Sequence, residues 1–315
     1  MQAVILAAGG GTRLHPLTLN RSKAMLPIVG KPMVGRVLEN LTAAGLQDFI
    51  LVASPQDQEL VRYIEQGEAS RVQLVFQSQP RGAADALLCA AERITGDFLL
   101  SACDNLVPLA DTRRVIDCWQ SGAAPNGLLA LLRIPSHKVP SAGIVELEGD
   151  WIKRIIEKPP LAEAPSDIAS LPLYCFTPDL LAYLPRVQPS RRGEYELQDA
   201  IQMLIDHQGG VRGIHAHSRM TLTSTSDLLK LNRHFLAMMG ERTSPAWQTS
   251  PNGTLLIPPV FIEPGACVAN SCTIGPEAYL EAGCTVGEGA TIQNSVVLRG
   301  ATVPAAACIR GQVIA

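Results

Sequence analysis

The chain lacks three features that would each point to a particular partner or compartment. It has no basic excess, since 26 Lys and Arg stand against 29 Asp and Glu and give a formal net charge of -3. That balance argues against nucleic acid or an anionic membrane as a partner. No apolar run approaches the roughly 20 residues of a membrane helix, and the first residues lack the basic segment of a signal peptide. We therefore expect a cytoplasmic protein without a membrane partner.

Metal-binding cysteine patterns are lacking too. Eight cysteines are spread over 315 residues without a Cys-x-x-Cys pair, and no spacing resembles a zinc cluster. We therefore expect reduced thiols with a structural role. Disorder is excluded as well, because hydrophobic residues make up 47% of the chain and charged residues only 17%. The length allows one large domain or two smaller ones, and we predict two.

The first 240 residues have the pattern of an α/β domain. Short runs rich in Val, Ile and Leu alternate with longer segments of helical period, which is typical of a βαβ sheet covered by helices. The predicted strands are 3–7, 49–53, 72–77, 98–102, 128–134, 143–147 and 171–176. The predicted helices are 31–44, 56–66, 83–94, 110–120, 195–207 and 226–239.

The C-terminal part has a different pattern. Residues 241–254 are rich in Pro, Ser, Thr and Asn, so we place a linker there between domains 1–240 and 255–315. Aliphatic residues then recur at an interval of six, and only Pro304 breaks the series: Leu256, Ile262, Val268, Ile274, Leu280, Val286, Ile292 and Leu298. From Ile262 onward, a small or slender residue stands four positions after each aliphatic one: Ala266, Cys272, Ala278, Cys284, Ala290, Val296 and Thr302.

This period of six is typical of a parallel β-helix of hexapeptide repeats, here with about three coils. A small β-sandwich is the alternative, but it has no reason to keep such a period. The four cysteines of the region (Cys267, Cys272, Cys284 and Cys308) are then explained as small buried side chains.

The beginning of the chain suggests a phosphate site. An apolar strand is followed at once by Gly9, Gly10 and Gly11, whose bare N–H groups could approach phosphate oxygens. Arg13 and Lys23 could neutralise a triphosphate. Neither the dinucleotide string GxGxxG nor the P-loop string is met. An ordinary first turn of an α/β domain remains the alternative.

Residues 6–33, LAAGGGTRLHPLTLNRSKAMLPIVGKPM, make the phosphate site more specific. They resemble, nearly residue for residue, the signature LAAGxGTRLxPLTxxxPKxxLPIxxKPM of the sugar-1-phosphate nucleotidylyltransferases. Such enzymes couple a sugar 1-phosphate to a nucleoside triphosphate and release pyrophosphate, and several carry a C-terminal left-handed β-helix. The resemblance implies a Rossmann-like mixed sheet followed by a short left-handed parallel β-helix.

The resemblance also implies roles for residues of the nucleotide site. Gln77 and Gly82 in FQSQPRGAADAL would read the base, although Gln79 lies close enough to take that role. A glutamine amide can donate and accept, which matches O4 and N3–H of uracil or thymine, so we expect UTP or dTTP. The signature itself would bind the nucleotide through Leu6, Ala7, Ala8, Gly9, Gly10, Gly11 and Thr12, with Arg13 and Lys23 on the phosphates.

Three further segments would supply the metal-binding and sugar-binding residues of the active site. Asp104 in LLSACDN follows a strand and would hold Mg²⁺, which prefers carboxylate oxygen. Gly143 and Glu157 would contact the sugar hydroxyls, and Lys158 would hold the sugar phosphate for in-line attack. Glu194 lies near the sugar-contacting segment, with a helix N-terminal carboxylate as the equal alternative. The expected catalytic residues are thus Arg13, Lys23, Asp104 and Lys158.

The chain departs from the family pattern at several positions. Relatives have Gly where this chain has Cys103, and a second magnesium-binding Asp where it has Thr221 or Thr223. Asp227 matches a later carboxylate at a helix start. The family's Asn/Ala-Gly becomes Leu171-Pro172, followed by Leu173-Tyr174.

These departures support a second hypothesis, a nucleotide-binding but weakly active or inactive paralogue that serves as a regulatory or structural subunit. Acyl transfer by the β-helix is a third hypothesis. That activity needs a long β-helix and usually a catalytic histidine between subunits, but the last histidine of the chain, His234, precedes the repeats. We expect the β-helix to assemble a homo-oligomer, because its open end leaves strand edges to be covered.

Overall fold

The computed structural model describes residues 1–67, 71–240 and 253–315. They divide into two compact units, the first formed by 1–10 and 37–220 and the second by 11–36 and 221–315. The second unit thus contains most of the signature segment together with the C-terminal repeats. The predicted linker 241–254 lies largely outside the described residues, so that domain boundary stays a prediction.

The helices begin and end close to their predicted limits, although the helix predicted over 83–94 finishes as a short 3-10 turn. The α-helices are α1 (Met33–Ala43), α2 (Gln58–Gln66), α3 (Ala83–Ala90), α4 (Leu109–Gln120), α5 (Leu197–Gln208) and α6 (Thr225–Met239). The 3-10 turns are Thr12–Leu14, Lys23–Met25, Ala91–Arg93, Ser136–Ser141, Leu161–Glu163, Pro178–Ala182 and Leu184–Arg186. In the described part, no helix has the length and apolar character needed to cross a membrane.

The strands include every predicted one and two longer ones that the sequence pattern did not predict, β10 and β12. Up to residue 221 they are β1 (Gln2–Leu6), β2 (Pro27–Ile28), β3 (Lys31–Pro32), β4 (Phe49–Ala53), β5 (Val72–Phe76), β6 (Phe98–Ala102), β7 (Asn105–Leu106), β8 (Gly127–Arg133), β9 (Gly143–Glu148), β10 (Trp151–Glu157), β11 (Ile168–Phe176), β12 (Val211–His215) and β13 (Met220–Thr221). We missed β10 because its buried residues, Ile152 and Ile155, are separated by two exposed ones rather than one.

The first unit is built on a nine-stranded sheet of order β5-β4-β1-β6-β11-β8-β12-β10-β9. Strands β5, β4, β1 and β6 are parallel, whereas β11 runs antiparallel to β6 and to β8. All five residues of β4 are buried, which agrees with its continuous apolar sequence FILVA. Helix α3 packs on β1 and β4, and α5 packs on β10. The predicted mixed α/β sheet is confirmed.

Strand β11 contains a proline in its interior. Its pairing with β8 shifts between Leu171 and Tyr174, so Pro172 lies in a bulge where the ladder is interrupted. A bulge tolerates proline because the missing N–H has no ladder partner there. The unusual Leu171-Pro172 pair is therefore compatible with a central strand.

The C-terminal repeats form a parallel β-helix with three faces, as predicted. Their strands are β14 (Leu255–Leu256), β15 (Val260–Ile262), β16 (Cys267–Val268), β17 (Thr273–Ile274), β18 (Ala278–Leu280), β19 (Thr285–Val286), β20 (Thr291–Gln293), β21 (Val296–Val297), β22 (Thr302–Val303), β23 (Cys308–Arg310) and β24 (Val313–Ile314). Strands on each face pair in parallel, in the orders β14-β17-β20-β23, β15-β18-β21-β24 and β16-β19-β22.

The register explains why the six-residue series fails at Pro304. Leu280 pairs with Val297 and Val286 with Val303, so the third coil is one residue shorter than the second. Val297 therefore replaces Leu298, the residue that the series predicted, in the core cluster of the β-helix. The small position moves likewise from Thr302 to Ala301. The repeat continues to the C-terminus after a one-residue deletion.

The explanation of the cysteines was correct for only two of the four in the repeats. Cys272 and Cys284 are buried in the core of the β-helix, where a small side chain fits. Cys267 and Cys308 are exposed, because their side chains point to the outer side of strands β16 and β23. All eight cysteines of the chain are free thiols, as predicted.

Candidate active site

Four neighbouring parallel strands of the first unit bring their carboxyl ends to one edge of the sheet. Hydrogen bonds extend the pairing one residue past the strands: Ala7 N–H donates to Val52 O (2.8 Å), Gln77 N–H to Ala53 O (2.9 Å) and Cys103 N–H to Leu6 O (3.0 Å). Open α/β sheets bind ligands at this edge. The predicted nucleotide and metal residues of the first unit therefore lie on one edge.

The first two glycines of the signature face open space. A Cβ atom added at Gly9 or Gly10 would meet no described atom within 4 Å. Packing within the chain therefore does not demand glycine at these two positions. The missing side chains instead leave the backbone N–H groups accessible to a ligand, as a nucleotide-binding turn requires.

Gly11 and Lys23 lie against each other within the second unit. Gly11 has φ 61°, and its carbonyl accepts hydrogen bonds from Leu14 N–H (2.9 Å) and the Thr18 hydroxyl (2.9 Å). A Cβ atom on Gly11 would lie 3.2 Å from Lys23 Cβ. Glycine is thus needed both for the left-handed backbone and for this close approach. Gly11 and the predicted phosphate-binding lysine are thus neighbours, and Arg13 is exposed in the Thr12–Leu14 turn of the same unit.

Gln77 is the better of the two candidates for reading the base. It is buried, whereas Gln79 is exposed. Its side-chain Nε2 donates to Asp85 Oδ2 (2.6 Å) and to Gly82 O (3.2 Å). Because both N–H bonds are used within the protein, Oε1 is the atom that can serve a base. We expected this amide both to donate a hydrogen bond to the base and to accept one from it, but only the acceptor Oε1 is left for that role.

Gly82 has a packing role as well as its predicted place in the nucleotide site. Its φ is 116°, and a Cβ atom there would come within 2.5 Å of Tyr195 O. Tyr195 N–H donates to Arg81 O (2.7 Å), and Ala84 N–H donates to Tyr195 O (3.0 Å). Glycine at position 82 thus allows the predicted base-reading segment to pack against the segment that precedes α5.

Three of the predicted sugar residues, Gly143, Glu157 and Lys158, form a partly buried cluster in the first unit. Gly143 pairs with Glu157 across strands β9 and β10. A Cβ atom on Gly143 would lie 2.9 Å from Ser170 Oγ, 3.0 Å from Glu157 Oε2 and 3.1 Å from Gln198 Nε2. Lys158 Nζ lies 3.0 Å from Glu157 Oε1, and Lys158 adopts a left-handed φ of 47°. Such strain persists where surrounding contacts impose it and is typical of functional sites.

A second set of charges surrounds this cluster. Arg192 Nη2 lies 2.7 Å from Glu196 Oε1, 3.7 Å from Glu194 Oε2 and 3.9 Å from Glu157 Oε1. Glu194 therefore belongs to the cluster through Arg192, although its side chain is half exposed. Glu194 lies outside α5, two residues before Glu196, which is the N-cap residue of that helix.

Sequence reasoning missed four members of the cluster. They are Ser170, Arg192, Glu196 and Gln198; the hydroxyl of the buried Tyr174 in turn donates to Ser170 Oγ (2.9 Å). Three of the four lie in residues 192–201, RGEYELQDAI, whose charge density was a usable signal. Ser170 gave no signal, because serine within an apolar strand is uninformative.

One oxygen of the Glu157 carboxylate lacks a hydrogen-bond partner among the described residues, whereas the other is paired with Lys158. Its Oε2 is buried and has no hydrogen-bond partner in the described part of the chain. Burial raises the pKa of Glu157 above its ordinary value, although Lys158 and Arg192 oppose the shift. A buried acceptor without a donor is costly, so this oxygen is suited to receive a hydroxyl group from a ligand.

Replacing Glu157 with glutamine tests this interpretation. We expect Glu157→Gln to lower kcat/KM for the sugar 1-phosphate by about 10- to 100-fold, the worth of one hydrogen bond to a charged group. The variant should not be less stable at neutral pH. Because the pKa is raised in the folded state, the favourable contribution is complete below the unfolded-state pKa, about 4.3, and is lost as pH rises through the raised value.

The melting temperature of Glu157→Gln relative to the wild type should therefore rise across that pH window. Thermal unfolding between pH 5 and 8 measures the difference. Glu194→Gln is the matched control, because that carboxylate is half exposed and should show no such trend. A pH-independent difference for Glu157→Gln would contradict the raised pKa.

Asp104 stays the predicted metal-binding residue. It follows β6 and the buried Cys103, and the amide of the neighbouring Asn105 is buried without a hydrogen-bond partner among the described residues. No group of three or more His, Cys, Asp or Glu side chains within the described ranges could hold a metal ion. Mg²⁺ is usually held by one or two carboxylates plus substrate phosphates, so this sparse oxygen donor set fits it.

Asp227 is occupied as a helix cap. Ser224 Oγ accepts from Asp227 N–H (3.2 Å), while Asp227 Oδ2 accepts from the N–H (3.0 Å) and hydroxyl (2.7 Å) of Thr223. Ser224 is thus the N-cap of α6, and the Asp227 carboxylate in the first turn reaches back to the residue before the cap, a variant of the capping box. Burial opposes ionisation, but these hydrogen bonds lower the pKa of Asp227. Its interpretation as a helix-start carboxylate is confirmed.

The chain matches known proteins over nearly its whole length. The family model described as Nucleotidyl transferase matches residues 2–217, and one described as GMPPB C-terminal domain matches residues 256–315. A glucose-1-phosphate thymidylyltransferase of Streptomyces griseus is 32% identical over 96% of this chain and 88% of its own length. A UTP–glucose-1-phosphate uridylyltransferase of Haloferax volcanii is 32% identical over 65% of this chain and 84% of its own length.

Solved structures agree with these matches. A UDP-glucose pyrophosphorylase from Acinetobacter baumannii has a TM-score of 0.66 and 25% identity, covering 76% of this chain and 94% of its own. The chain belongs to the nucleotidyl transferase family. The prediction of a sugar-1-phosphate nucleotidylyltransferase is thereby confirmed, and enzymes of this family generally use a divalent metal ion.

Proposed function

We propose that the chain makes a nucleotide sugar from UTP or dTTP and a hexose 1-phosphate, with glucose 1-phosphate as the first candidate. The sugar follows from the names of its relatives, which include glucose-1-phosphate thymidylyltransferases and a glucose-1-phosphate uridylyltransferase. The observation that carries the proposal is the Glu157–Lys158 pair. It sets a carboxylate for hydroxyl groups beside a cation for phosphate, and a sugar 1-phosphate carries both groups.

The base preference is supported by the orientation of Gln77. Its Nε2 is committed to Asp85 and Gly82, and exchanging the amide atoms would place Oε1 against the Asp85 carboxylate. The acceptor Oε1 can take a hydrogen bond from N3–H of uracil or thymine. Adenine and cytosine present an acceptor at the corresponding ring nitrogen and would be disfavoured. Guanine has a ring N–H and needs a direct test.

In the proposed reaction, a phosphate oxygen of the sugar 1-phosphate attacks the α-phosphorus of the nucleotide in line, and pyrophosphate leaves. Lys158 holds and orients the attacking phosphate, which turns an encounter of two anions into a positioned pair. Arg13 and Lys23 neutralise the charge that accumulates on the leaving pyrophosphate. Glu157, Gly143 and Glu194 with Arg192 bind the sugar. Mg²⁺ held by Asp104 would screen the phosphate charge.

The test is pyrophosphate release measured with five nucleoside triphosphates (UTP, dTTP, ATP, CTP and GTP) against a panel of hexose 1-phosphates with Mg²⁺. We expect turnover with UTP or dTTP at least about 100-fold above ATP and CTP, the discrimination that an unpaired buried acceptor gives. Binding of UTP without turnover for any sugar would favour the alternative of a regulatory subunit. Two observations support that alternative. The chain lacks the second metal-binding Asp of its relatives, and the Asp227 carboxylate is hydrogen-bonded to Thr223.

The proposal includes a homo-oligomer assembled through the β-helix. Strands β22, β23 and β24 end their three sheets, so each has one backbone edge that is unpaired within those sheets. Strand edges of this kind are favourable places for a second subunit. Light scattering of the purified chain would measure the assembly, and a monomer at micromolar concentration would contradict it.

A further inference from the structure

A buried ion pair links the signature segment to the β-helix within the second unit. Arg21 Nη1 lies 2.7 Å from Glu281 Oε1, and Nη2 lies 3.1 Å from Oε2, so the two planar groups face each other as a fork. The side chains are only 7% and 10% exposed. Glu281 Oε2 also accepts the backbone N–H of Arg299 at 2.7 Å, one coil further along. The carboxylate is thus fixed by the β-helix on one side and holds Arg21 on the other.

Arg21 lies inside the phosphate-binding part of the signature. It follows Arg13 and the Gly11–Thr18 contact, and it precedes Lys23 by two residues. Lys23 begins a 3-10 turn of three residues, so a shift of the Arg21 backbone passes directly to the turn that carries the lysine. Neither a flexible glycine nor a chain break lies between Arg21 and Lys23 to absorb such a shift.

The hairpin that follows this turn is also held from the C-terminal side. Strands β2 and β3 are joined by Val29 and Gly30, both with positive φ, and positive φ is unusual for a β-branched residue such as Val29. Val29 N–H donates to the fully buried Asn232 of α6 (2.8 Å). A Cβ atom on Gly30 would lie 2.8 Å from the Phe261 ring of β15. The signature segment is therefore held at Arg21 and at this hairpin, in each case by a residue more than 200 positions further along the chain.

The Arg21–Glu281 contact does more than bury surface, because each of its two buried charges needs the other nearby. Each of these two buried charges is compensated by the other, and removal of one leaves its partner buried and uncompensated. A neutral contact of the same size would tolerate small displacements. The forked pair instead specifies one position for Arg21 relative to the β-helix.

We propose that the β-helix is a positioning element of the phosphate site, and that Glu281 sets the position of Lys23 through Arg21. This inference rests on the proposed function, which assigns Lys23 to the phosphates of the nucleotide. Glu281 touches no reacting group in this scheme, so it is a positioning residue. Loss of the pair should therefore affect the nucleotide more than the sugar 1-phosphate, whose proposed residues belong to the first unit.

The test compares Glu281→Gln with the wild-type full-length chain. We expect kcat/KM for UTP or dTTP to fall by about 10- to 100-fold, as small misplacements of a substrate-binding group do. KM for the sugar 1-phosphate should change less than about twofold. The matched control is Glu277→Gln, which breaks the more exposed pair between Glu277 Oε2 and Arg233 Nε (2.5 Å) in the same unit. This control should behave as the wild type.

A double variant separates charge pairing from simple loss of contact. Arg21→Gln with Glu281→Gln removes both buried charges and keeps a polar pair. Its kcat/KM for the nucleotide should exceed that of either single variant. Hydrogen exchange without substrate provides a readout that does not depend on activity: Glu281→Gln should speed the exchange of amides within 20–28 and leave those of α5 unchanged.

Nucleotide kinetics within twofold of wild type, with unchanged exchange in 20–28, would overturn the inference. Equal losses for both substrates together with a lower melting temperature would also overturn it, because they would indicate a merely structural pair. If the wild type makes no nucleotide sugar at all, the proposed function fails instead. The exchange result and the dissociation constant of UTP for the two variants would then still decide whether Glu281 positions the segment.

Discussion

Replacing Arg13 with alanine should lower kcat/KM for the nucleotide by about 1,000-fold and leave the melting temperature unchanged. The size is that of a positioned cation acting on transferring phosphoryl groups. The stability should not change because Arg13 is exposed, and no hydrogen bond or ion pair of its guanidinium is recorded in the described structure. Steady-state kinetics with each substrate varied in turn measures the effect.

The conservative variant Arg13→Lys makes this prediction more specific. Lysine keeps the charge but loses the planar fork that binds two phosphate oxygens, so we expect it to recover only part of the activity. Arg62→Ala is the control, because Arg62 lies on α2 and contacts Gln58 O of its own helix. Activity of Arg13→Ala within tenfold of the wild type would show that Arg13 is not on the phosphates.

Replacing Asp104 with asparagine should lower kcat by about 1,000-fold at ordinary Mg²⁺ concentration. A metal ion contributes several kcal/mol of charge stabilisation in such reactions, and each 1.4 kcal/mol is about a factor of ten. The neutral amide should also raise the Mg²⁺ concentration needed for half-maximal rate, because Mg²⁺ prefers a carboxylate. A Mg²⁺ titration at saturating substrates measures both effects.

Asp227→Asn is the matched control for the metal ligand. The Asp227 carboxylate is already hydrogen-bonded at the start of α6, so its replacement should leave the Mg²⁺ titration unchanged. The replacement should lower the free energy of unfolding by about 1 kcal/mol, the usual contribution of a helix cap. If Asp227→Asn shifted the Mg²⁺ titration and Asp104→Asn did not, the assignment of the metal would be wrong.

The fold was largely predictable because its signals are local. Alternating apolar runs and helical segments identified six helices and seven strands, and the period of six identified the β-helix before any contact was known. The errors came from longer-range effects. Strand β10 was missed because its exposure does not alternate, and the placement of Leu298 was wrong because one coil lacks a residue.

The candidate site was predictable where a segment is distinctive as a string. The signature gave Gly11 and Lys23, and the structure adds that they are in contact. The sugar cluster could be predicted only in part, because Ser170 and Gln198 come to Gly143 from strands and loops that are distant along the chain. Glu157 could be predicted as a sugar-contacting residue, but the sequence did not show that one oxygen of its carboxylate is buried without a hydrogen-bond partner in the described part of the chain.

The sequence by itself determined the class of protein: a phosphate-binding signature on an α/β sheet, followed by hexapeptide repeats. Those features depend on residues that are close along the chain. Only the tertiary structure decided which amide atom of Gln77 stays available to a ligand, that Asp227 is hydrogen-bonded at the start of α6, and that the β-helix holds the signature segment through Arg21 and Glu281. These results depend on partners separated by up to 260 residues, and whether a charge is buried or paired is set by the packing that brings such partners together.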